Sequence, residues 1–185
     1  MRKITVSTMV SVDGIMGDPA TWGAMSYFDE TAALDGCRRL QCSVGMLLGR
    51  STYQALAGAW IGRTGPFAER LTTIPKTVFS ASLDDIAWGN ATVERGDVVS
   101  TVMRLKNEGD GDLVLFGHGQ LTKTLLRAEL IDEIRLLVMP VLAGNGEGLR
   151  IEMQPRRLSL VQATALPSGV VILVYGLPAG TSEPS

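Results

Sequence analysis

Two short glycine-containing turns and one arginine are the features of this chain best suited to holding an anion. Gly117-His118-Gly119 follows the apolar run Asp112–Phe116 and precedes Gln120 and Leu121, with Leu125 and Leu126 continuing at helical spacing. Between a strand and a helix, backbone N–H groups and the helix dipole together make an anion site. The same residues also fit a tight turn with no ligand. A dinucleotide fingerprint would need a third glycine or alanine, and an acid at the end of the next strand to hold a ribose hydroxyl. Here the third position is Thr122 and the next strand closes on Val141-Leu142-Ala143, so that reading fails twice while a phosphate cradle survives. The second unit is Leu47-Leu48-Gly49-Arg50-Ser51-Thr52, an arginine and two hydroxyls in the first turn of a helix. The dipole disfavours a cation there, so Arg50 calls for a negative partner. Alternatively it lies on the surface and Thr52 only caps the helix. Ser80, Ala81 and Ser82 close a further strand and add small donors.

The elements that must position these turns follow from apolar periodicity. Ile4, Val6, Thr8 and Val10 alternate with Thr5, Ser7, Met9 and Ser11, a strand ending at the turn Asp13-Gly14. Ser26-x-x-Asp29 reads as a capping box opening a helix over residues 26–42. Strands are expected over 44–48, Lys76–Phe79, Ala91–Glu94 and Asp112–Phe116, and helices over 50–57, after Asp97, and after Gly119. Three successive strands, 134–142, 158–164 and 170–175, follow, with the glycine-rich loop 143–148 after the first of them. One α/β domain over residues 1–178 is expected, with a largely parallel, then antiparallel, sheet and a solvated tail at 179–185.

Composition excludes several classes of function. The 185 residues carry 45% hydrophobic and 19% charged side chains, an ordinary globular balance. Seventeen basic against nineteen acidic residues leave a net charge of −2 with no basic stripe, so nucleic acid and anionic membrane are not expected partners. Cys37, Cys42 and His118 are too few for a Cys/His zinc site, and no metal is expected. Reduced thiols, an N-terminal apolar stretch cut short at Asp13, and no apolar run of membrane-spanning length point to a soluble, cytoplasmic protein without a leader segment.

Taken in order, the motifs resemble a known family. Asp13-Gly14-Ile15-Met16-Gly17, Leu48-Gly49-Arg50-Ser51-Thr52-Tyr53, Lys76-Thr77-Val78-Phe79-Ser80 and Gly117-His118-Gly119-Gln120-Leu121 are followed by Leu130-Ile131-Asp132-Glu133 and Pro140-Val141-Leu142-Ala143-Gly144. This series resembles the dihydrofolate reductase-like family, most closely its branch containing the reductase domain of riboflavin biosynthesis, the bacterial RibD C-terminal domain. The resemblance covers about residues 2–176 and implies a three-layer αβα sandwich around a mixed, mostly parallel sheet. It further implies NADPH across the carboxyl ends of the central strands, and a homodimer. Gly49, Arg50, Ser51 and Thr52 would meet the phosphates, and Ser80, Ala81 and Ser82 would border the adenosine 2′-phosphate. Gly117, Gly119, Gln120 and Leu121 would wrap the pyrophosphate, while Met9, Met16 and Gly17 would line the nicotinamide.

The chain departs from the pattern at His118, where dihydrofolate reductases have a second glycine. It also lacks the tryptophan-x-leucine-proline-x-aspartate stretch that supplies the pterin-binding acid, retaining only Thr21-Trp22-Gly23 nearby. Folate reduction is therefore not expected, and there is no room for a zinc deaminase domain. A proton donor could still be Asp29, which precedes Ala33, Cys37 and Leu40 on one helix face, or it could serve only as a helix cap. Asp13, Glu30 and Asp35 are lesser candidates, with Asp13 shaping its turn. His118 could be proton donor, phosphate contact or plain loop residue. Glu147 lies in Gly144-Asn145-Gly146-Glu147-Gly148, a loop that the family uses beside its substrate, or it is an exposed hairpin tip. The expected function is an NADPH-dependent reductase of a small polar or heterocyclic substrate, like the pyrimidine reductase of riboflavin biosynthesis. Two alternatives are an NADP(H)-binding module without turnover and a flavin-binding protein.

Overall fold

A computed structural model describes residues 1–151 and 153–178. Its strands are β1 (Ile4–Ser11), β2 (Ser43–Gly49), β3 (Lys76–Phe79), β4 (Ala91–Glu94), β5 (Asp112–Phe116), β6 (Glu133–Met139), β7 (Ser159–Ala165) and β8 (Val171–Gly176). They form one sheet in the order β4-β3-β2-β5-β1-β6-β8-β7. The first six pair parallel with one another, while β8 pairs antiparallel with both β6 and β7. The helices are α1 (Glu30–Gln41), α2 (Arg50–Trp60), α3 (Pro66–Thr73), α4 (Val98–Asn107) and α5 (Gln120–Arg127). The expected tail at 179–185 lies outside the described residues.

Alternation along the strands explains the three layers. Met46 and Leu48 of β2 enter a core with residues of α1, α2 and α3, whereas Leu47 between them enters a second core with Val102 of α4 and Leu125 and Leu126 of α5. Val114 joins the first core, and its neighbours Leu113 and Leu115 join the second. A strand covered on both faces reads as an unbroken apolar run, as β2 and β5 do. A third cluster, around Trp22, Leu137, Met139 and Ile172, covers β6 and β8 beside the β1 end. Among the described residues no helix is long and apolar enough to cross a membrane, no cluster of potential metal ligands occurs, and Cys37 and Cys42 are free thiols.

Three local expectations are corrected. The capping box is displaced: residues Ala24–Tyr27 form a short 3-10 turn and α1 begins at Glu30, with Asp29 as its N-cap rather than its third residue. Asp29 Oδ1 accepts from the Ala32 N–H at 2.9 Å. Phe28 leaves the helical path to pack against Trp60 and Phe67, at centroid distances of 6.5 and 5.7 Å, which fixes the chain's entry into α1. β6 ends at Met139, not at residue 142, because Pro140 has no N–H to extend the ladder. α3 was not anticipated. Its Gly65-Pro66 start, with Phe67 and Leu71 one turn apart, is a weak but readable helix signal. Arg70 of α3 donates to the Leu40 and Ser43 carbonyls, satisfying acceptors where α1 ends.

Candidate functional site

The carboxyl ends of β2, β3, β4 and β5 surround a groove of about 450 Å³. Its walls include Gly49, Arg50, Ser51 and Thr52 from the β2–α2 turn, and Gly119, Gln120, Leu121 and Thr122 from the start of α5. Ser80 and Ala81 close β3, and Glu94, Arg95 and Gly96 follow β4 along the same groove. The volume falls within the usual range for a small-molecule site.

α2 and α5, whose first turns wall the groove, are capped differently from α1 and from α4, whose Val98 also reaches it; α3 shares their glycine N-cap without a side-chain bond. α1 and α4 carry Asp29 and Asp97 as N-caps, each accepting a backbone N–H. α2 and α5 instead have Gly49 and Gly119 at the N-cap, with no side-chain cap hydrogen bond. Their first-turn N–H groups thus lack a side-chain acceptor where both face one cavity. Such a pair of helix ends suits a ligand with several phosphate charges.

Arg50 adds positive charge at this point. Its Nη1 donates to Ser82 Oγ at 2.6 Å, holding the exposed guanidinium over the turn after β3. Ser80 Oγ accepts from the Ser82 and Leu83 N–H groups, so the serine closes that turn. Arg95, which the sequence reading missed, donates to the Leu83 carbonyl and pairs with Asp84 at 3.0 Å. Its only sequence signal was a charged residue directly after a strand. The strand order supplies the rest, because it sets the end of β4 beside that of β3. Glu94 lines the groove too, its carboxylate accepting from the Gly96 N–H.

The glycines at 117 and 119 differ in role. Gly117 has φ +99, and a Cβ built there would stand 2.7 Å from Thr52 Oγ1. Only glycine allows both that backbone and that approach, which brings the two turns together. Its carbonyl accepts from Thr122 Oγ1 at 2.8 Å, so the residue that broke the dinucleotide fingerprint stabilises the turn. A Cβ at Gly119 would meet nothing within 4 Å and would project into open space.

Asp13, Met16 and Glu147 lie together at the turn after β1, outside the groove's lining. Asp13 accepts from Ser11 Oγ at 2.6 Å and from the Ala143 and Gly144 N–H groups at 2.9 and 2.8 Å. These bonds hold its carboxyl near pKa 2 and clasp the loop after β6 to the turn after β1. The Met16 N–H donates to the Glu147 carbonyl, completing the clasp. Met16 is buried, and Met9 and Gly17 are half-buried. Glu147 is exposed, and His118 is half-buried. Burial pushes the His118 imidazole below its usual pKa; the Glu147 carboxylate opposes this and Lys123 reinforces it. The chain thus brings His118 and Glu147 near each other across β1, which separates β5 from β6. Asp29 caps α1 and does not line the groove.

The family model described as the RibD C-terminal domain matches residues 2–172. The Bacillus subtilis (strain 168) protein YyaP, described as uncharacterized, is 34% identical over 101 residues; the match covers 54% of this chain and 53% of that protein. The chain therefore aligns with about half the length of that relative. A solved structure from Shewanella sp. PV-4, named for riboflavin biosynthesis, superposes with a TM-score of 0.73 at 18% identity, covering 96% of this chain and 99% of the other. A pyrimidine reductase-like protein from Corynebacterium diphtheriae gives 0.72 at 12% identity, covering 97% and 93%. At these identities the two structures share the fold with this chain.

Proposed function

The chain belongs to the RibD C-terminal domain family, and on that premise we propose that it is an NADPH-dependent reductase delivering hydride to a small polar or heterocyclic substrate. The observation that carries this reading is the pair of helix starts without side-chain caps opening into one groove beside Arg50 and Arg95. A phosphate-rich cofactor fits that donor set, and the open space beside Gly119 leaves room for its pyrophosphate against the backbone.

Arg50, Ser51 and Thr52 would bind phosphate, with Gly49 letting the chain turn close to it. Ser80, Ala81 and Ser82 would border the 2′-phosphate, where Arg50 and Arg95 add charge-assisted donors. Gly117, Gly119, Gln120 and Leu121 would carry the pyrophosphate toward β1. Met9, Met16 and Gly17 would exclude water from the nicotinamide. When bound, NADPH supplies the hydride; the substrate takes a proton as well.

His118 and Glu147 interact electrostatically across that end of β1. With its pKa lowered, His118 takes up its proton only at a more acidic pH than an ordinary imidazole, so donation from it would accelerate turnover as pH falls. Glu147 would lie beside the substrate, and we extend the proposal to a homodimer. The second reading, an NADP(H)-binding module without turnover, is favoured by the engagement of Asp29 and Asp13 in caps and clasps.

NADPH oxidation with a panel of pterins, pyrimidines and quinones, followed across pH, separates the two. Oxidation that depends on a substrate supports the reductase, and binding without oxidation by any member supports the module. If Asp29 donates the proton, Asp29→Asn lowers turnover by about 10²–10⁴. If it only caps, stability drops by about 1 kcal/mol and turnover of folded protein is unchanged.

A further inference from the structure

At the end of the sheet remote from the groove, a second cavity of about 200 Å³ opens beside the amino ends of β1 and β6. α4 reaches it with Met103 and Lys106, the segment between α5 and β6 supplies Glu129, Leu130 and Asp132, and Leu177 follows β8. Arg156, from the connection between β6 and β7, completes the wall. Leu130 and Leu177 pack against the core under α4 and α5, so the floor is apolar. Sites that enclose drug-sized ligands measure roughly 300–1,000 Å³. This cavity is smaller, too small for a dinucleotide, and none of its walls belongs to the groove.

Its charges come in two neutral pairs. Lys106, whose side chain is 5% exposed, donates from Nζ to the Leu130 carbonyl at 3.0 Å and to Asp132 Oδ2. An ammonium has three N–H groups, and the third finds no acceptor among the described residues. Asp132 Oδ2 also accepts from the Ile4 N–H at 2.7 Å, while its Oδ1 receives no hydrogen bond among the described residues. The buried pair therefore leaves one donor and one acceptor unused. The second pair joins Arg156 to Glu129. Glu129 has φ +56, the one described residue other than glycine in the left-handed region. It stands just past the end of α5, where its N–H donates to the Leu126 carbonyl and the Leu130 N–H to the Leu125 carbonyl, the place glycine usually takes. A glutamate there is held in a strained backbone, and its carboxylate meets Arg156 at the cavity.

We propose that this cavity binds a free α-amino acid with an apolar side chain. A ligand of single charge would be drawn to one member of each pair and repelled by the other. An α-amino acid carries its ammonium and carboxylate on one carbon, so its carboxylate takes the third Lys106 N–H while its ammonium donates to Asp132 Oδ1. Arg156 and Glu129 offer the same two signs from a more exposed position. The side chain lies against Met103, Leu130 and Leu177. That apolar surface favours leucine or phenylalanine over glycine. Nothing in this binding depends on what occupies the groove.

The test is calorimetric titration of the whole protein with L-leucine and L-phenylalanine. Each is compared with its N-acetyl form, which lacks the ammonium, with its amide, which lacks the carboxylate, and with glycine. The expected result is that at least one of the two amino acids binds, and that its blocked forms and glycine bind at least tenfold more weakly. In Lys106→Met/Asp132→Asn, which removes both buried charges and keeps an acceptor for the Ile4 N–H, that binding is lost while the circular dichroism spectrum stays native. Binding of neither amino acid, equal binding of a blocked form or of glycine, or binding that survives in the double variant overturns the proposal. Should the double variant fail to fold, methyl-labelled methionine NMR of the native protein decides. The Met103 resonance then moves with the amino acid and not with its N-acetyl form, and a Met103 resonance unmoved by the amino acid overturns the proposal. If the amino acid binds but NADPH does not, the cofactor reading fails and the cavity keeps its ligand.

Discussion

The two glycines of the turn after β5 sit two residues apart and make opposite predictions. Gly117 is required by the protein itself, since it has φ +99 and Thr52 Oγ1 stands 2.7 Å from where its Cβ would be. Gly117→Ala should therefore cost stability, by about 1 kcal/mol or more, and lower the unfolding midpoint. Gly119 is required only by the proposed ligand, because nothing in the protein meets its Cβ. Gly119→Val should leave the circular dichroism spectrum and midpoint close to native while abolishing NADPH binding. If Gly119→Val unfolds the protein, the turn is structural and the cradle reading loses its support there. The sequence could mark both glycines, but the distinction needs Thr52, 65 positions before Gly117, as a neighbour. Arg95 was missed for the same reason, since its relevance comes from strand order.

Among the elements, β3 carries the one buried lysine that has no carboxylate partner among the described residues. Lys76 is 3% exposed, donates to the Thr72 and Ile74 carbonyls, and lies 4.8 Å from the Trp88 ring. Burial, with help from Arg70, lowers its pKa to about 8 from 10.5. Between these values the unfolded chain keeps a proton that the folded protein has released, so the unfolded state binds more protons and stability rises with pH. Urea midpoints should therefore rise from pH 7 to pH 9.5 in the native protein relative to Lys76→Met, which lacks this group. Parallel slopes for the two proteins would show that Lys76 titrates normally. The strands themselves were legible, because apolar runs bounded by glycine or proline leave few alternatives. Helix starts were less so. Ser26 and Asp29 both suit an N-cap, and only the packing of Phe28 against Trp60 and Phe67 selects the second. α3 gave only a weak signal, because Gly65 offers no side-chain cap and Phe67 and Leu71 are its only large apolar residues.

At the scale of the whole molecule, the sheet is protected unevenly. β4 is short, but β7 spans seven residues at the other edge and is exposed over nearly all its length. Leu160 and Val161 are 59% and 61% exposed on this strand. A long apolar edge is normally covered, and the proposed homodimer would cover it with the same strand of a second copy. Light scattering should give twice the monomer mass, and Leu160→Lys/Val161→Lys should give one; a native monomer would contradict this. The central claim concerns the groove at the opposite side of the sheet, and calorimetric titration of the native protein and Arg50→Ala with NADPH and with NADH tests it most directly. The account predicts that native protein prefers NADPH, and that Arg50→Ala loses about 1.5–3 kcal/mol of NADPH affinity with much less change for NADH. Equal native affinities for the two cofactors, or no binding of either, would contradict it.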